Sequence, residues 1–132
     1  MEDTYMFNTL LVEDNVSYRQ TLSDALLLHF PLIGVDEACD GIEALSKVEY
    51  RRPDLIFMDI QLPGANGLEI TKEIKRVYNE IVIVILSSNG LQECRQQAYR
   101  NGADYFISKE DAYCMESILT RVDVALARVS HH

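Results

Sequence analysis

Short apolar runs alternate with helical patterns along the whole chain, and this alternation constrains the fold more than any other feature. The five runs cover residues 7–12, 33–38, 55–58, 81–86 and 105–107. Three of them, at 9–12, 55–58 and 81–86, are nearly continuous, as expected for strands that are covered on both faces. The run at 33–38 mixes apolar and polar residues, which favours an edge strand.

Between the runs, apolar residues recur at the three-to-four-residue spacing of helices with one buried side. The predicted buried faces are Leu22, Ala25, Leu26 and Phe30 in the first helix; Ile42, Leu45 and Val48 in the second; Ile70, Ile74 and Val77 in the third; and Met115, Ile118, Leu119, Val122, Ala125, Leu126 and Val129 in the last. The fourth pattern, over about 92–101, aligns only Leu91, Cys94 and Ala98. We therefore predict that the fourth helix is loosely held and able to move.

Five successive strand–helix units predict one α/β domain with a five-stranded parallel sheet and right-handed crossovers. We expect the strand order 2-1-3-4-5 with helices on both faces, a flavodoxin-like, doubly wound (βα)5 arrangement. Ligands in such sheets bind at the switch point, here beside strands 1 and 3. The 132 residues fit a single domain over 1–130, and His131-His132 are interpreted as a tag remnant.

The composition excludes several classes of protein. Hydrophobic residues make up 48% and charged residues 25%, as in folded proteins. The net charge of −9 argues against direct binding of DNA by this chain. No apolar stretch reaches the roughly 20 residues of a membrane helix, and the acidic start lacks the pattern of a signal peptide. Three widely spaced cysteines match neither a disulfide framework nor a zinc site, so we expect a cytoplasmic protein with reduced thiols.

Charged residues follow three of the runs that are predicted to be strands. Glu13-Asp14 follows the first run, Asp59 the third and Lys109 the fifth. Because the carboxyl ends of parallel strands meet at one edge of a sheet, we expect these four side chains in one crevice. Three carboxylates repel one another, and their oxygens suit Mg²⁺ or a similar ion. With such an ion in place, a carboxylate can act as a nucleophile toward a phosphoryl group.

Each of these residues alone also has an ordinary structural interpretation. An acidic pair before a helix usually caps it, and an aspartate before Pro63-Gly64 usually forms a turn. A lone lysine is usually a solvated charge, and Ser87 alone is a strand-ending hydroxyl. It is their coincidence at the ends of strands that favours a site.

Together, these residues resemble the receiver domain of two-component response regulators. The matching motifs are Leu11-Val12-Glu13-Asp14-Asn15, Asp54-Leu55-Ile56-Phe57-Met58-Asp59-Ile60, Leu62-Pro63 with Gly67, Ser87-Ser88, and Gly102-Ala103-Asp104-Tyr105-Phe106-Ile107-Ser108-Lys109. They run through nearly the whole chain in the order typical of that family.

The resemblance implies a role for each matching residue. Asp59 would accept a phosphoryl group from a histidine kinase or phosphotransfer protein, and Lys109 would pair first with Asp59 and then with the phosphoryl oxygen. The Mg²⁺ (or Mn²⁺) ligands would be Asp14, Asp59 and the backbone carbonyl of Gln61, with Glu13 acting directly or through water. Ser87 would bind a phosphoryl oxygen, and Phe106 would then turn inward.

The resemblance also implies a signalling switch rather than a turnover enzyme. The surface of helix 4, strand 5 and helix 5 would contact an output domain, a partner or a second copy of the chain. A DNA-binding output domain would lie outside these residues. The chain departs from many family members in one place, because Glu110-Asp111 follows Lys109 where those members have a proline. Gln61 and Asn89 lie at positions where the family tunes the rate at which the phosphoryl group is hydrolysed.

Three alternatives remain at this point. A flavin-binding protein of this fold would need a hydroxyl-rich phosphate loop where the chain has Glu13-Asp14. An aspartyl phosphatase would typically need a second acid at the position of Gln61. The third is a degenerate receiver that serves only as a protein-interaction module; the intact Asp14, Asp59 and Lys109 argue against it without removing it as an alternative.

Overall fold

A single parallel sheet of five strands forms the centre of the protein. The computed structural model describes residues 7–88, 90 and 92–129, without the side chain of Val129. The strands are β1 (Asn8–Val12), β2 (Gly34–Ala38), β3 (Leu55–Asp59), β4 (Val82–Ser87) and β5 (Tyr105–Ser108). They pair in the order 2-1-3-4-5, and every pairing is parallel. The predicted fold, strand order and edge position of β2 are confirmed.

Five helices cover both faces of this sheet. They are α1 (Val16–His29), α2 (Gly41–Tyr50), α3 (Gly67–Val77), α4 (Gln92–Arg100) and α5 (Cys114–Val129). Helices α1 and α5 share one apolar cluster with the sheet, while α2, α3 and α4 share the other. Alternate residues of each central strand enter the two clusters, which explains the continuous apolar runs in the sequence.

The predicted buried faces of α2 and α3 are partly wrong. Ile42 is 82% exposed and Val77 is 57% exposed. In α2, the buried residues are Gly41, Ala44 and Val48, which also fit the three-to-four-residue spacing of one helix face. Helix α3 approaches this face closely, because a Cβ on Gly41 would lie 2.8 Å from the end of the Ile70 side chain. The close approach of α3 therefore selects the face of α2.

Helix α4 has little apolar contact, as predicted. Ala98 is its buried residue, and Cys94 is half-buried. Leu91, which was predicted to join this face, lies outside the described residues, as do Asn89 and the possible tag remnant His131-His132. That α4 moves stays a prediction.

A short antiparallel hairpin follows β3 where the sequence predicted only turns. Gln61–Leu62 pairs with Ala65–Asn66, and Gly64 makes the turn with a positive φ of 69°. Gly67 then starts α3 so close to β3 that a Cβ would collide with the carbonyl oxygen of Asp59. Its N–H donates to the Ile60 carbonyl at 2.8 Å. This glycine therefore fixes the backbone beside Asp59.

Candidate functional site

Four charged side chains meet at the carboxyl ends of β1, β3 and β5. Val12 pairs with Met58 in register, so Glu13 and Asp59 stand at the ends of adjacent strands. Carboxylate oxygens of Glu13, Asp14 and Asp59 all lie within 4.8 Å of one another. Lys109 Nζ lies 2.6 Å from Glu13 Oε1 and 3.6 Å from Asp59 Oδ2. The structure thus brings together the four side chains that the sequence pattern selected.

Glu13 is the most firmly held member of this cluster. It is buried, its Oε1 accepts from Lys109, and its Oε2 accepts from the N–H of Asn15 at 3.0 Å. Its carbonyl oxygen also accepts from Arg19 at 2.6 Å. Glu13 therefore organises the end of β1 besides contributing charge.

Asp14, in contrast, is exposed, and it does not cap α1. The capping residue is Asn15, whose Oδ1 accepts from the N–H of Tyr18 at 2.9 Å. The acidic pair is thus not explained by helix capping, and the Asp14 carboxylate faces solvent beside two buried acids.

Asp59 is a buried carboxylate with an unfavourable charge. It is 6% exposed, and its Oδ1 accepts from the Gln61 N–H at a long 3.3 Å. Burial, followed by repulsion from Glu13, raises the pKa of Asp59 from 3.8 to about 6, although Lys109 and the Gln61 N–H oppose the rise. Its ionised form near neutral pH is therefore destabilised and would gain from another cation.

The donor set fits a hard divalent cation. Three carboxylates face one ammonium, so the cluster keeps an excess of negative charge when all are ionised. Mg²⁺ binds through a few carboxylate oxygens and keeps several waters, which suits the exposed side of Asp14. The backbone carbonyl of Gln61, which follows Asp59 closely, stays a predicted ligand.

Ser87 and Phe106 lie on the two strands beyond Asp59. Ser87 is buried at the end of β4, and its carbonyl accepts from the Lys109 N–H at 2.8 Å. The Phe106 ring is already buried in this structure: it is 5% exposed and belongs to the apolar cluster that α2, α3 and α4 share with the sheet. The guanidinium carbon of Arg95 lies 4.9 Å from the centre of this ring. Their switching roles stay predictions.

Tyr18 was missed by the sequence analysis. Its ring centre lies 4.5 Å from Lys109 Nζ, and its hydroxyl oxygen lies 3.9 Å from Cys114 Sγ. An aromatic residue in the first turn of a helix carries no sequence signal for such a contact.

No cis peptide bond occurs among the described residues, so the Lys109–Glu110 bond is trans.

A doubly wound α/β domain with three acids and a lysine at its switch point is the arrangement that the sequence motifs predicted for a receiver domain. The family model for the response regulator receiver domain matches residues 9–122. The chain belongs to this family, as the sequence motifs indicated. None of the helices that the structure describes has the length and apolar character to cross a membrane.

Individual relatives agree with this membership. The chain is 37% identical over 100 residues to the chemotaxis protein CheY of Halobacterium salinarum, covering 76% of this chain and 82% of that protein. It is 29% identical over 121 residues to the response regulator MprA of Mycobacterium sp. (strain KMS), covering 92% of this chain. The chain spans about half the length of the MprA proteins it matches, 51% in this case.

Solved structures show the same fold. The receiver domain of NtrX from Brucella abortus superposes with a TM-score of 0.80 at 30% identity, covering 90% of this chain and 98% of that chain. A CheY-like receiver domain protein from Methanospirillum hungatei superposes with a TM-score of 0.83 at 20% identity, covering 95% and 97%. The second likeness concerns the fold alone.

Proposed function

We propose that the chain is a phosphorylation-dependent switch in which Asp59 accepts a phosphoryl group from a histidine kinase or a phosphotransfer protein. The observation that carries this proposal is the environment of Asp59, a buried carboxylate between two acids and one ammonium. The two acids would destabilise a purely structural aspartate, and Lys109 would compensate only in part, whereas a phosphoryl acceptor needs both a cation site and a lysine beside it.

In the proposed transfer, a carboxylate oxygen of Asp59 attacks the phosphorus of a phosphohistidine. The new O–P bond forms as the P–N bond breaks, and the imidazole nitrogen keeps the electron pair. Lys109, which lies beside Asp59 Oδ2, stabilises the charge on the phosphoryl oxygens. Later hydrolysis of the acyl phosphate restores Asp59, so the chain acts on itself and is not a turnover enzyme.

Bound Mg²⁺ or Mn²⁺ would supply positive charge that offsets the repulsion between the phosphoryl group and the acids. The residues that would hold it are Asp14, Asp59, the carbonyl of Gln61 and Glu13. Glu13 would act directly or through water. Its two carboxylate oxygens already accept hydrogen bonds, which favours the water-mediated arrangement.

The signal would leave the crevice through β4 and β5. A phosphoryl group adds strong acceptors beside the buried Ser87, which would move to bind one of them. The Phe106 ring, which is already buried, and the thinly packed α4 beside it would then repack, changing the surface of α4, β5 and α5. That surface would control an output domain, a partner or a second copy of the chain; a DNA-binding output domain would be separate from these residues.

Intact-mass measurement after incubation with a small phosphodonor and Mg²⁺ tests the proposal. The wild type should gain the mass of one phosphoryl group that is lost in mild base, and EDTA should prevent the gain. Asp59→Asn should gain nothing. Asp123→Asn is the matched control, because Asp123 is an exposed acid on α5, and it should behave as the wild type.

The same measurement separates the alternative function. A degenerate receiver that serves only as an interaction module would gain no phosphoryl group in any variant. An equal gain in wild type and Asp59→Asn would show that another residue is the acceptor.

A further inference from the structure

The side chain of Tyr18 takes no part in the phosphoryl chemistry described above, yet it lies against the cation of the site. Its ring centre is 4.5 Å from Lys109 Nζ, within the distance at which an ammonium is attracted to an aromatic face. Lys109 is only 17% exposed, so little water competes with this contact. Tyr18 is therefore the third partner of Lys109, after Glu13 and Asp59.

The ring is held from both ends. At the backbone, the Tyr18 N–H donates to the capping Asn15 side chain, which fixes the first turn of α1. At the tip, the hydroxyl lies 3.9 Å from Sγ of Cys114, the first residue of α5. The ring also packs against the apolar cluster that α1 and α5 share. Tyr18 thus spans the start of α1 and the start of α5 beside Lys109.

The neighbours keep the ring uncharged. Burial, and then the proximity of Cys114, raises the pKa of the Tyr18 hydroxyl well above its ordinary value. Burial also raises the pKa of the Cys114 thiol. The face next to Lys109 consequently stays a neutral aromatic surface near neutral pH, and no proton transfer is involved.

Without the ring, the ammonium would have one more direction open to it. Lysine has four rotatable methylene bonds and holds no fixed geometry of its own. Glu13 draws it toward the end of β1, at 2.6 Å, while Asp59 is more distant at 3.6 Å. A rigid surface on another side limits the ammonium to the space between the two carboxylates.

We propose that Tyr18 is a positioning residue for phosphoryl transfer, whose ring holds the Lys109 ammonium beside Asp59. This inference rests on the proposed function of Asp59 and adds a residue to it. The simpler explanation is that Tyr18 only packs α1 against α5. The two differ because packing needs only apolar bulk, whereas a cation–π contact with the ammonium needs an aromatic face.

Two substitutions separate these explanations. Tyr18→Phe keeps the ring and removes the hydroxyl, so it should phosphorylate within about twofold of the wild-type rate. Tyr18→Leu keeps apolar bulk without the ring, and it should slow phosphorylation by a small phosphodonor about three- to tenfold. Mg²⁺ affinity, measured by calorimetry, should change less than twofold in both variants. Among the described residues, no hydrogen bond or ring contact joins the Tyr18 side chain to a proposed metal ligand.

A double-mutant cycle tests whether Tyr18 acts through Lys109. In a Lys109→Gln background, Tyr18→Leu should cause no further loss of rate. An equal loss in both backgrounds would overturn the proposal in favour of packing. A loss in Tyr18→Phe as large as in Tyr18→Leu would overturn it too, because the hydroxyl would then be responsible.

An NMR measurement without phosphodonor tests the contact between Tyr18 and Lys109 independently of the function proposed for Asp59. In the wild type and Tyr18→Phe, ring currents should shift the Lys109 Hε protons upfield in ¹H–¹³C spectra, and the shift should vanish in Tyr18→Leu. Its absence from the wild type would overturn the contact itself. A wild type that shows this shift but gains no phosphate would instead refute the function proposed for Asp59, and the positioning role with it.

Discussion

Replacing Asp59 with asparagine should stabilise the metal-free protein at pH 8. The carboxylate is buried, and its pKa rises from 3.8 to about 6. Each pKa unit corresponds to about 1.4 kcal/mol, so the ionised form costs up to about 3 kcal/mol. Asparagine removes the charge with nearly the same shape, and its amide oxygen can still accept from the Gln61 N–H. Lys109 keeps Glu13 as an ion-pair partner.

The net gain should be about 1 to 3 kcal/mol, or roughly 3 to 10 °C in melting temperature for a domain of this size. Its pH dependence follows from linkage. An acid whose pKa is raised on folding binds protons more tightly when folded, so its contribution to stability falls as pH rises from about 4 to about 6. The penalty is fully present above that range. The advantage of Asp59→Asn should therefore be about half as large at pH 5 as at pH 8.

Urea unfolding in EDTA, followed by far-ultraviolet circular dichroism at both pH values, measures this difference. The chain has a net charge of −9, so removing any acid could reduce general repulsion. Asp123→Asn controls for that effect because Asp123 is exposed on α5. The reasoning is refuted if Asp59→Asn gains no stability at pH 8, if its gain is the same at pH 5, or if Asp123→Asn gains as much.

Two further predictions concern the residues around Asp59. Asp14→Asn should stabilise the metal-free protein, by under about 1 kcal/mol because water screens the exposed carboxylate. It should also reduce the rise in melting temperature that Mg²⁺ causes. A fall in the metal-free melting temperature would show that Asp14 has a structural role instead. Gly67→Ala should lower the free energy of unfolding in urea by about 2 to 4 kcal/mol, because the new Cβ would meet the backbone carbonyl of Asp59. Gly41→Ala at the start of α2 should lower it less, because its Cβ would meet a movable Ile70 side chain. Equal losses in the two variants would contradict this reasoning.

The central strands could be predicted because their environment is nearly uniform. Residues 55–58 and 81–86 are covered on both faces, so every position is apolar and the run is visible in the sequence. The crevice could be predicted for a related reason: in a parallel sheet, a charge that follows a strand must lie at the carboxyl edge. Register and strand order then place Glu13 beside Asp59 without knowledge of any side-chain contact.

The contacts between helices could not be predicted in the same way. In α2, the set Ile42, Leu45 and Val48 and the set Gly41, Ala44 and Val48 both fit the three-to-four-residue spacing of a helix. Hydrophobicity favours the first set, but the face that packs inward is the second, with Ile70 of α3 lying close against Gly41. A periodic pattern locates a face within one helix, whereas the close approach of a neighbouring helix depends on residues far away in the sequence.

The preference of Lys109 for Glu13 over Asp59 was also beyond the sequence, and it bears on how a phosphoryl group would be detected. The Lys109 N–H donates to the Ser87 carbonyl, so the backbone at the end of β5 is paired with β4, whereas the Lys109 side chain can change its partner. A phosphoryl group would add about 1.5 to 2 negative charges at Asp59. Lys109 would then exchange part of its pairing with Glu13 for the phosphoryl oxygens. Detection in this protein would thus begin with an exchange of ion-pair partners by Lys109, rather than with the capture of a free lysine.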